Sequence, residues 1–202
     1  NNIFLRIISK LLNKFFRNNE ICFYFNKNNY IKIVKGWEFR KYQLTLKHHE
    51  KLKILYAFKS KNLLKKSISL INYLTTLKNR GKFIVGLHIR RKDYKEWNNG
   101  KYYFDDEYYK YVIKNLKNKL TKENKEPFFI VVSDEKINSK IGMDLFSGGS
   151  WQEDQILLQC CDLIVGPPST FTMWASYISK VPLIQLNPNK KTFNLNGKVC
   201  EG

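Results

Sequence analysis

The 202-residue sequence has few cysteines, prolines and glycines, and it lacks the spacings that mark a metal site. Its four cysteines and three histidines follow neither a zinc-ribbon nor a His-Glu-x-x-His pattern, so we expect no metal and no cofactor. Cys160 and Cys161 are adjacent within an apolar run, which is typical of buried thiols in a reducing compartment rather than of a disulfide. Five prolines and ten glycines are too few for low-complexity linkers. No run of about 18 uncharged apolar residues predicts a membrane-spanning helix.

Acidic residues are also scarce: the sequence has 17 acidic and 36 basic residues, which gives a net charge of +19. A surplus of this size favours polyanionic partners, which include nucleic acid, an anionic membrane surface and phosphate-bearing substrates. Lysine is also spread over almost every segment together with asparagine, and such a composition accounts for the charge equally well. The charge therefore leaves these classes open. The hydrophobic fraction of 43%, with 14 phenylalanines and 12 tyrosines, predicts a packed globular core.

The first part of the chain predicts helices that precede any sheet. Apolar pairs recur every four residues between residues 3 and 16, which predicts an amphipathic helix with basic residues on its other face. This helix either packs on the core or lies on an anionic membrane surface. Residues 44–77 predict two further helices. Because the sequence begins with Asn1 rather than methionine, we expect an excerpt of a longer chain or a lost start.

From residue 81 onward, short apolar runs alternate with segments of helical spacing. The strands are rich in Ile, Val and Phe and do not alternate with polar residues, which is typical of strands buried on both faces. Alternating strands and helices indicate an α/β fold with a parallel, Rossmann-like sheet. The predicted strands cover residues 83–89, 128–132, 163–165 and 181–186, and the predicted helices cover residues 105–120, 153–161 and 170–178. We therefore expect a ligand-binding domain over 81–202, preceded by the remnant of another domain over 1–80.

Polar residues follow the predicted strands at the edge of the sheet where ligands bind in such folds. The first strand runs into His88, Arg90, Arg91 and Asp93. Two adjacent arginines at the end of a buried strand offer planar, bidentate donors that match phosphate oxygens. Asp93 is expected to orient one arginine, and His88 to form a hydrogen bond across the turn. A surface cluster of salt bridges is the alternative interpretation.

Further positions at the same edge carry groups that suit a phosphorylated ligand. Ser169 or Thr170 follows a Gly-Pro-Pro corner and caps the next helix, whose N-terminus is an anion site. Asp134 follows the second strand, where its carboxylate could accept hydrogen bonds from a guanine or a ribose. Asp154 lies at the start of a helix, where an acidic residue also favours the helix dipole. Helix capping and turn initiation are the alternatives.

The segment from His88 to Asp93 resembles the His-x-Arg-Arg-x-Asp motif of the α-1,2-fucosyltransferases, glycosyltransferase family eleven. Residues 153–176 are similar to the second signature of that family, in which a Ser-x-Phe-x-x-Trp helix follows a strand. Residues 36–40 also resemble the segment that joins the two domains in bacterial members. The Gly-Leu-Gly-Asn turn with which family members open has no match here. The N-terminal domain is therefore expected to be incomplete.

This resemblance implies a GT-B architecture of two Rossmann-like domains, with residues 81–202 as the domain that binds the nucleotide sugar. It implies a metal-free, inverting transfer of L-fucose from GDP-fucose to a hydroxyl of a glycan acceptor. By position, Arg90 holds the donor β-phosphate and Arg91 supports it. Ser169 and Thr170 close around the phosphates.

The sequence leaves alternatives open for the general base, for the donor and for the class of protein. Asp93 and Glu96 are both candidates for the base, and another nucleotide sugar could replace GDP-fucose. Tyr and Phe among Lys at residues 101–104 favour a basic nucleic-acid-binding protein instead. That reading does not explain the polar residues at the strand ends, so we expect no nucleic acid partner. We expect a cytoplasmic protein with peripheral contact between residues 3–16 and the inner face of the membrane.

Overall fold

A computed structural model describes residues 42–57, 61–137, 141–188 and 197–198, and every structural statement below concerns these residues. The predicted helix over residues 3–16 and the segment 36–40 lie outside them. Residues Tyr42–Gly202 belong to one compact unit. The division into domains at residues 80 and 81 stays a prediction.

Six helices and five strands make up the described part of the chain, with a pair of short 3₁₀ turns after the first strand. The helices are α1 (Tyr42–Lys47), α2 (His49–Leu55), α3 (Lys61–Asn79), α4 (Asp106–Lys122), α5 (Trp151–Gln159) and α6 (Thr170–Ser179). The strands are β1 (Lys82–Ile89), β2 (Glu126–Ser133), β3 (Leu145–Phe146), β4 (Leu163–Gly166) and β5 (Leu183–Gln185). Every strand and helix predicted after residue 81 is present, with ends shifted by a few residues. The two-residue strand β3 was not predicted.

The five strands form one parallel sheet in the order β3-β2-β1-β4-β5. The central strand β1 pairs with β2 from Lys82↔Glu126 to Ile89↔Ser133 and with β4 from Val85↔Leu163 to Leu87↔Val165. The chain therefore winds outward from β1 in one direction and then crosses to β4 on the other side. In open α/β sheets, ligands bind beyond the carboxyl ends of the strands at this point of reversal. The parallel α/β sheet predicted from the sequence is confirmed.

Helices cover both faces of the sheet, as the apolar strands require. On one face, Val85 and Leu87 of β1 pack against α4 through residues such as Val112 and Leu116. On the other face, Ile84 packs with apolar residues of α3, α5 and α6, which include Leu74, Leu158 and Ala175. A sheet buried on both sides fixes the backbone at its strand ends. Side chains that follow β1 and β4 therefore start from fixed positions.

Helix α5 approaches the central strand closely because β1 carries a glycine. A Cβ atom on Gly86 would lie 2.7 Å from Cys161 Sγ and 2.8 Å from Leu158 Cδ2, both shorter than any normal contact. Cys161 is a buried free thiol, as the sequence predicted, whereas the free thiol Cys160 is only half-buried. Among the described residues, no helix is long and apolar enough to cross a membrane.

Candidate functional site

The loops after β1 and β4 meet at the carboxyl edge of the sheet. Arg90 follows β1 directly, and Ser169 is the N-cap of α6. Arg90 Nη1 donates to Ser169 Oγ at 3.4 Å. The hydroxyl of Tyr94 donates to the backbone oxygen of Pro168. The two loops that the sequence predicted to be neighbours are therefore joined by direct hydrogen bonds at the point where the winding of the sheet reverses.

Arg90 is held in place by Asp93 on one edge of its guanidinium. Its Nε donates to Asp93 Oδ1 at 2.9 Å and its Nη2 donates to Asp93 Oδ2 at 2.6 Å. This bidentate pair raises the pKa of Arg90 and lowers the pKa of Asp93. The pair leaves Nη1 on the side of Ser169, and the Arg90 side chain is 32% exposed. A fixed, accessible cation therefore stands beside the start of α6.

Arg91 is buried inside the fold, in contrast to Arg90. Its Nε donates to the backbone oxygen of Phe104 at 3.1 Å, its Nη1 donates to Glu135 Oε1 at 3.3 Å, and its Nη2 donates to Asp106 Oδ1. The residue is only 7% exposed. These three contacts tie the loop after β1 to α4 and to the loop after β2. The sequence predicted that Arg90 and Arg91 act together, but in the structure Arg90 faces Ser169 whereas Arg91 is bonded inside the fold.

Asp134 also serves the loop after β1. Its carboxylate accepts hydrogen bonds from the backbone N–H of Arg91 at 3.1 Å and from that of Lys92 at 3.1 Å. Backbone N–H groups in a loop need acceptors, and a carboxylate satisfies two of them here. Asp134 lies on the same edge of the sheet as predicted, but the described contacts do not bring it to Ser169.

His88 is the buried polar residue nearest to the end of β1. It is 5% exposed, and its ring centroid lies 5.0 Å from that of Phe171 in the first turn of α6. Burial, helped by the charge of Arg90, lowers its pKa to about 3, so the ring is neutral at physiological pH. Its Nδ1 has no hydrogen-bond partner within the described ranges. Buried polar atoms are nearly always bonded, and this nitrogen, like the hydroxyls of Tyr108 and Tyr109, is closed to solvent.

Ser169 and Thr170 begin α6 at the same edge. Ser169 Oγ accepts from the backbone N–H of Phe171 at 3.1 Å, which confirms the predicted helix cap. Ser169 is 6% exposed, whereas Thr170 is exposed at the rim. The free N–H groups of a helix start favour an anion. The hydroxyl of Ser169 is thus shared between the helix start and the Arg90 guanidinium.

Asp154 lies in the first turn of α5. The next residue, Gln155, joins α5 to α6, since its Nε2 donates to the backbone oxygen of Phe171 at 2.6 Å. Asp154 is 6% exposed, and burial raises its pKa to about 6. The hydroxyl of Ser147 donates to its carboxylate. A buried carboxylate therefore lies at the start of α5, the helix that follows β3.

Gln155 and Tyr94 are the residues that sequence reasoning missed. Gln155 lies between charged residues and the apolar run of α5, and a polar residue there reads as an ordinary surface position. The sequence does not show that Gln155 is buried, with only 3% of the residue exposed. Tyr94 stands next to the arginine motif, but its contact with Pro168 joins residues 74 positions apart. Such long-range contacts leave no pattern in the sequence.

The structure brings Arg90, Ser169 and His88 together around the first turn of α6, with Thr170 at its rim and Asp93 paired to Arg90. Among the described contacts, none joins Asp154 directly to this group. Glu96 is exposed and follows the first 3₁₀ turn after the arginines. Within the described ranges, no group of three or more His, Cys, Asp or Glu residues could hold a metal ion. The arrangement offers a cation, a helix start and a buried carboxylate on one edge, which suits a ligand with both phosphates and a hydrogen-bonding base.

Comparison with known proteins gave a matching family and distant similarity to solved structures. The family model described as "Glycosyl transferase family 11" matches residues 3–195. No curated protein matches the chain. A solved structure, the beta Kdo 2,7 transferase KpsC of Thermosulfurimonas dismutans, is similar at 13% sequence identity with a TM-score of 0.33. That likeness covers 67% of this chain and 44% of the other, so the chain spans less than half of that protein.

Proposed function

The chain belongs to glycosyl transferase family 11, which comprises fucosyltransferase-type glycosyltransferases, and from this we propose that its own donor is GDP-fucose. We propose that L-fucose passes from this donor to a hydroxyl of a glycan acceptor in an α-1,2 linkage. The observation that carries the proposal is the accessible Arg90 guanidinium, held by Asp93 and directed at the start of α6. The chain is the donor-binding half of a GT-B enzyme in this proposal.

Arg90 and the start of α6 would hold the diphosphate from two sides. Asp93 occupies the Nε edge of the guanidinium, and the edge that carries Nη1 lies towards Ser169. That second edge can donate two parallel hydrogen bonds to phosphate oxygens. The N–H groups that begin α6 add donors and the positive end of the helix dipole. Ser169 and Thr170 supply hydroxyls at the same place.

Asp154 would recognise the guanine base. A carboxylate is the natural acceptor for guanine, which presents adjacent N–H donors, whereas uracil presents one N–H between two carbonyl groups. Of the two acidic candidates, Asp134 is occupied by backbone N–H groups of the loop after β1. Asp154 is buried in the first turn of α5, the helix that Gln155 joins to α6, and burial raises its pKa to about 6. Donors from guanine would restore the hydrogen bonds that burial removes.

The transfer itself breaks one bond and forms one. The acceptor hydroxyl oxygen attacks C1 of fucose while the bond from C1 to the β-phosphate oxygen breaks, and GDP leaves with the electron pair. Arg90 would stabilise the charge that grows on the leaving phosphate. The acceptor proton passes to a carboxylate. Asp93 is a weak base because its pairing with Arg90 lowers its pKa. We therefore assign Asp93 to the positioning of Arg90 and favour Glu96 as the base.

The donor assignment is tested by the binding of GDP, UDP and ADP, measured by calorimetry on the full-length protein. GDP is expected to bind at least about tenfold more tightly than UDP, a difference of about 1.4 kcal/mol. EDTA should not change the affinity, because Arg90 supplies the positive charge. Equal affinity for GDP and UDP would remove the GDP-fucose donor and leave another nucleotide sugar as the donor.

A further inference from the structure

Three aromatic side chains form a row on the loop that follows the arginines. The ring centroids of Tyr94 and Trp97 are 4.8 Å apart, and those of Trp97 and Tyr102 are 5.3 Å apart and stacked. Tyr94 is buried, whereas Trp97 is 47% exposed. We call Tyr94, Trp97 and Tyr102 the aromatic row. An exposed tryptophan within a stacked group differs from a single apolar residue scattered on a surface, which needs no explanation.

The aromatic row begins at Arg90. The Arg90 guanidinium carbon lies 4.9 Å from the centroid of the Tyr94 ring, in the geometry of a cation–π contact. Since Trp97 lies 4.8 Å further along, its ring is within about 10 Å of that guanidinium. This is the distance at which the sugar of a donor and the ring next to it would lie, if Arg90 holds the adjoining phosphate.

The loop that carries Trp97 has a fixed backbone. Its successive turns are closed by hydrogen bonds, for example from the N–H of Asn99 to the oxygen of Glu96 at 3.1 Å. Asn98 and Asn99 both have positive φ angles, of 52° and 54°, and Gly100 follows with φ of 69°. Positive φ costs free energy for residues other than glycine, and such strain concentrates at functional sites. The backbone that carries Trp97 is therefore held by these hydrogen-bonded turns.

We propose that the aromatic row is the platform on which a pyranose ring of the acceptor lies. One face of a pyranose presents C–H groups, whose partial positive charge suits an aromatic ring, and they can pack against the part of Trp97 that its two neighbours leave exposed, 47% of the residue. The side-chain amides of Asn98 and Asn99 are exposed next to Trp97 and can both donate to and accept from sugar hydroxyls. This inference rests on the proposed function, because the ring becomes an acceptor only if Arg90 holds a nucleotide sugar.

Stacking of nucleic acid bases is the competing occupant for such a surface. Lys95 Nζ lies 5.9 Å from the Tyr103 ring centroid, and Lys101 Nζ lies 5.5 Å from that of Tyr102. Lysines beside aromatic rings also bind single-stranded nucleic acid. The sugar is favoured because the row adjoins Arg90 and the start of α6, which together suit a diphosphate. A ten-nucleotide oligo(dT) is therefore included in the test.

The test follows the indole N–H signal of Trp97 by NMR, assigned by its loss in Trp97→Phe. Full-length protein saturated with GDP is titrated with lactose and with maltose, which present galactose and glucose rings. At least one sugar is expected to shift this signal saturably. Trp97→Ala should raise the dissociation constant of that sugar about tenfold or more, followed by saturation-transfer NMR, and Trp97→Phe should retain most of the affinity. GDP affinity should change less than about twofold.

The matched control is Tyr73→Ala, which removes another exposed aromatic ring, 46% exposed on α3 and packed against Phe128. It should leave both affinities unchanged. Tyr102→Ala is the second variant if Trp97→Ala does not fold. The platform is overturned if neither sugar shifts the Trp97 signal, if the alanine variants bind the sugar as tightly as the wild type, or if oligo(dT) competes with the sugar. If GDP itself does not bind, the proposed function fails instead.

Discussion

At the scale of single residues, Arg90 and Arg91 are adjacent in sequence and have opposite environments. Arg90 has an exposed pair with Asp93, whose side chain is 55% exposed, so this pair contributes little to stability. Arg91 has three acceptors inside the fold. The two residues therefore allow one comparison in which the same chemical change affects catalysis at one position and folding at the next.

Arg90→Ala should lower kcat by about 10² or more, the scale for the loss of a preorganised electrostatic donor. Arg90→Lys should rescue little, because an ammonium group cannot reproduce two parallel donors. The melting temperature should change little. These quantities are measured as the turnover of GDP-fucose and the thermal unfolding of the same variant. A large drop in melting temperature with normal turnover would show that Arg90 serves the fold.

Asp154→Asn separates guanine recognition from stability. The variant keeps an acceptor for the Ser147 hydroxyl but removes the buried charge, and it should bind GDP about tenfold or more weakly. Because burial raises the pKa of Asp154 to about 6, its charged form destabilises the fold as the pH rises through that value. The variant should therefore melt at the same temperature as the wild type at pH 7.5, or higher.

The pH dependence gives a second check on Asp154. The affinity of the wild type for GDP should fall as the pH drops through about 6, because the protonated carboxyl no longer accepts two hydrogen bonds. GDP phosphates also titrate in this range, so the Asp154→Asn variant serves as the control, and the additional loss should be absent from it. Identical profiles for the two proteins would contradict the assignment of Asp154 to the base.

At the scale of elements, the loop after β1 is fixed to its neighbours by buried side chains. Arg91 connects it to α4 through Asp106 and to the loop after β2 through Glu135. Asp134 accepts from its backbone. The position of Arg90 thus depends on contacts made by the residue that follows it, and not on the strand alone.

Arg91→Ala should destabilise the protein by about 2–3 kcal/mol, measured by urea unfolding. The loss of one partner of a fully buried ion pair costs about 3–5 kcal/mol, and the cost is lower here because the side chains of Asp106 and Glu135 are 38% and 30% exposed. Arg91→Lys should behave similarly, since one ammonium does not reach three acceptors. Lys114→Ala, an exposed change on α4, is the control. Unchanged stability in Arg91→Ala would leave Arg91 free to bind the donor.

At the scale of the whole molecule, the sequence was sufficient to predict the parallel sheet and the proximity of Arg90 to Ser169. Buried strands are apolar along their whole length, and the carboxyl ends of parallel strands share one edge. The strand β3 was missed because two residues carry no periodicity. The partners of Arg91 were missed because Glu135 is 44 residues away along the chain. Which of two neighbouring arginines is buried is decided by such contacts.

The membrane contact proposed for residues 3–16 is tested on the full-length protein. If this segment lies on lipid, the protein should sediment with vesicles that contain phosphatidylserine at low salt and be released as ionic strength rises, because screening weakens the attraction. Neutral phosphatidylcholine vesicles are the control. Equal binding to both, or binding to neither, would contradict a contact that depends on the basic face of this segment.

Tyr94 lies between the candidate phosphate site at Arg90 and the exposed end of the aromatic row at Trp97. Its ring makes a cation–π contact with Arg90 and a ring contact with Trp97, and its hydroxyl donates to the backbone oxygen of Pro168. Residues 95–103 are anchored at one end by the buried Tyr94 and at the other by the buried Phe104. The part of this segment that follows Glu96 can be exchanged while Tyr94 and Glu96 stay in place. If the proposed function holds, a library of loops inserted between Glu96 and Phe104 should alter which acceptor sugar binds and leave the affinity for GDP unchanged.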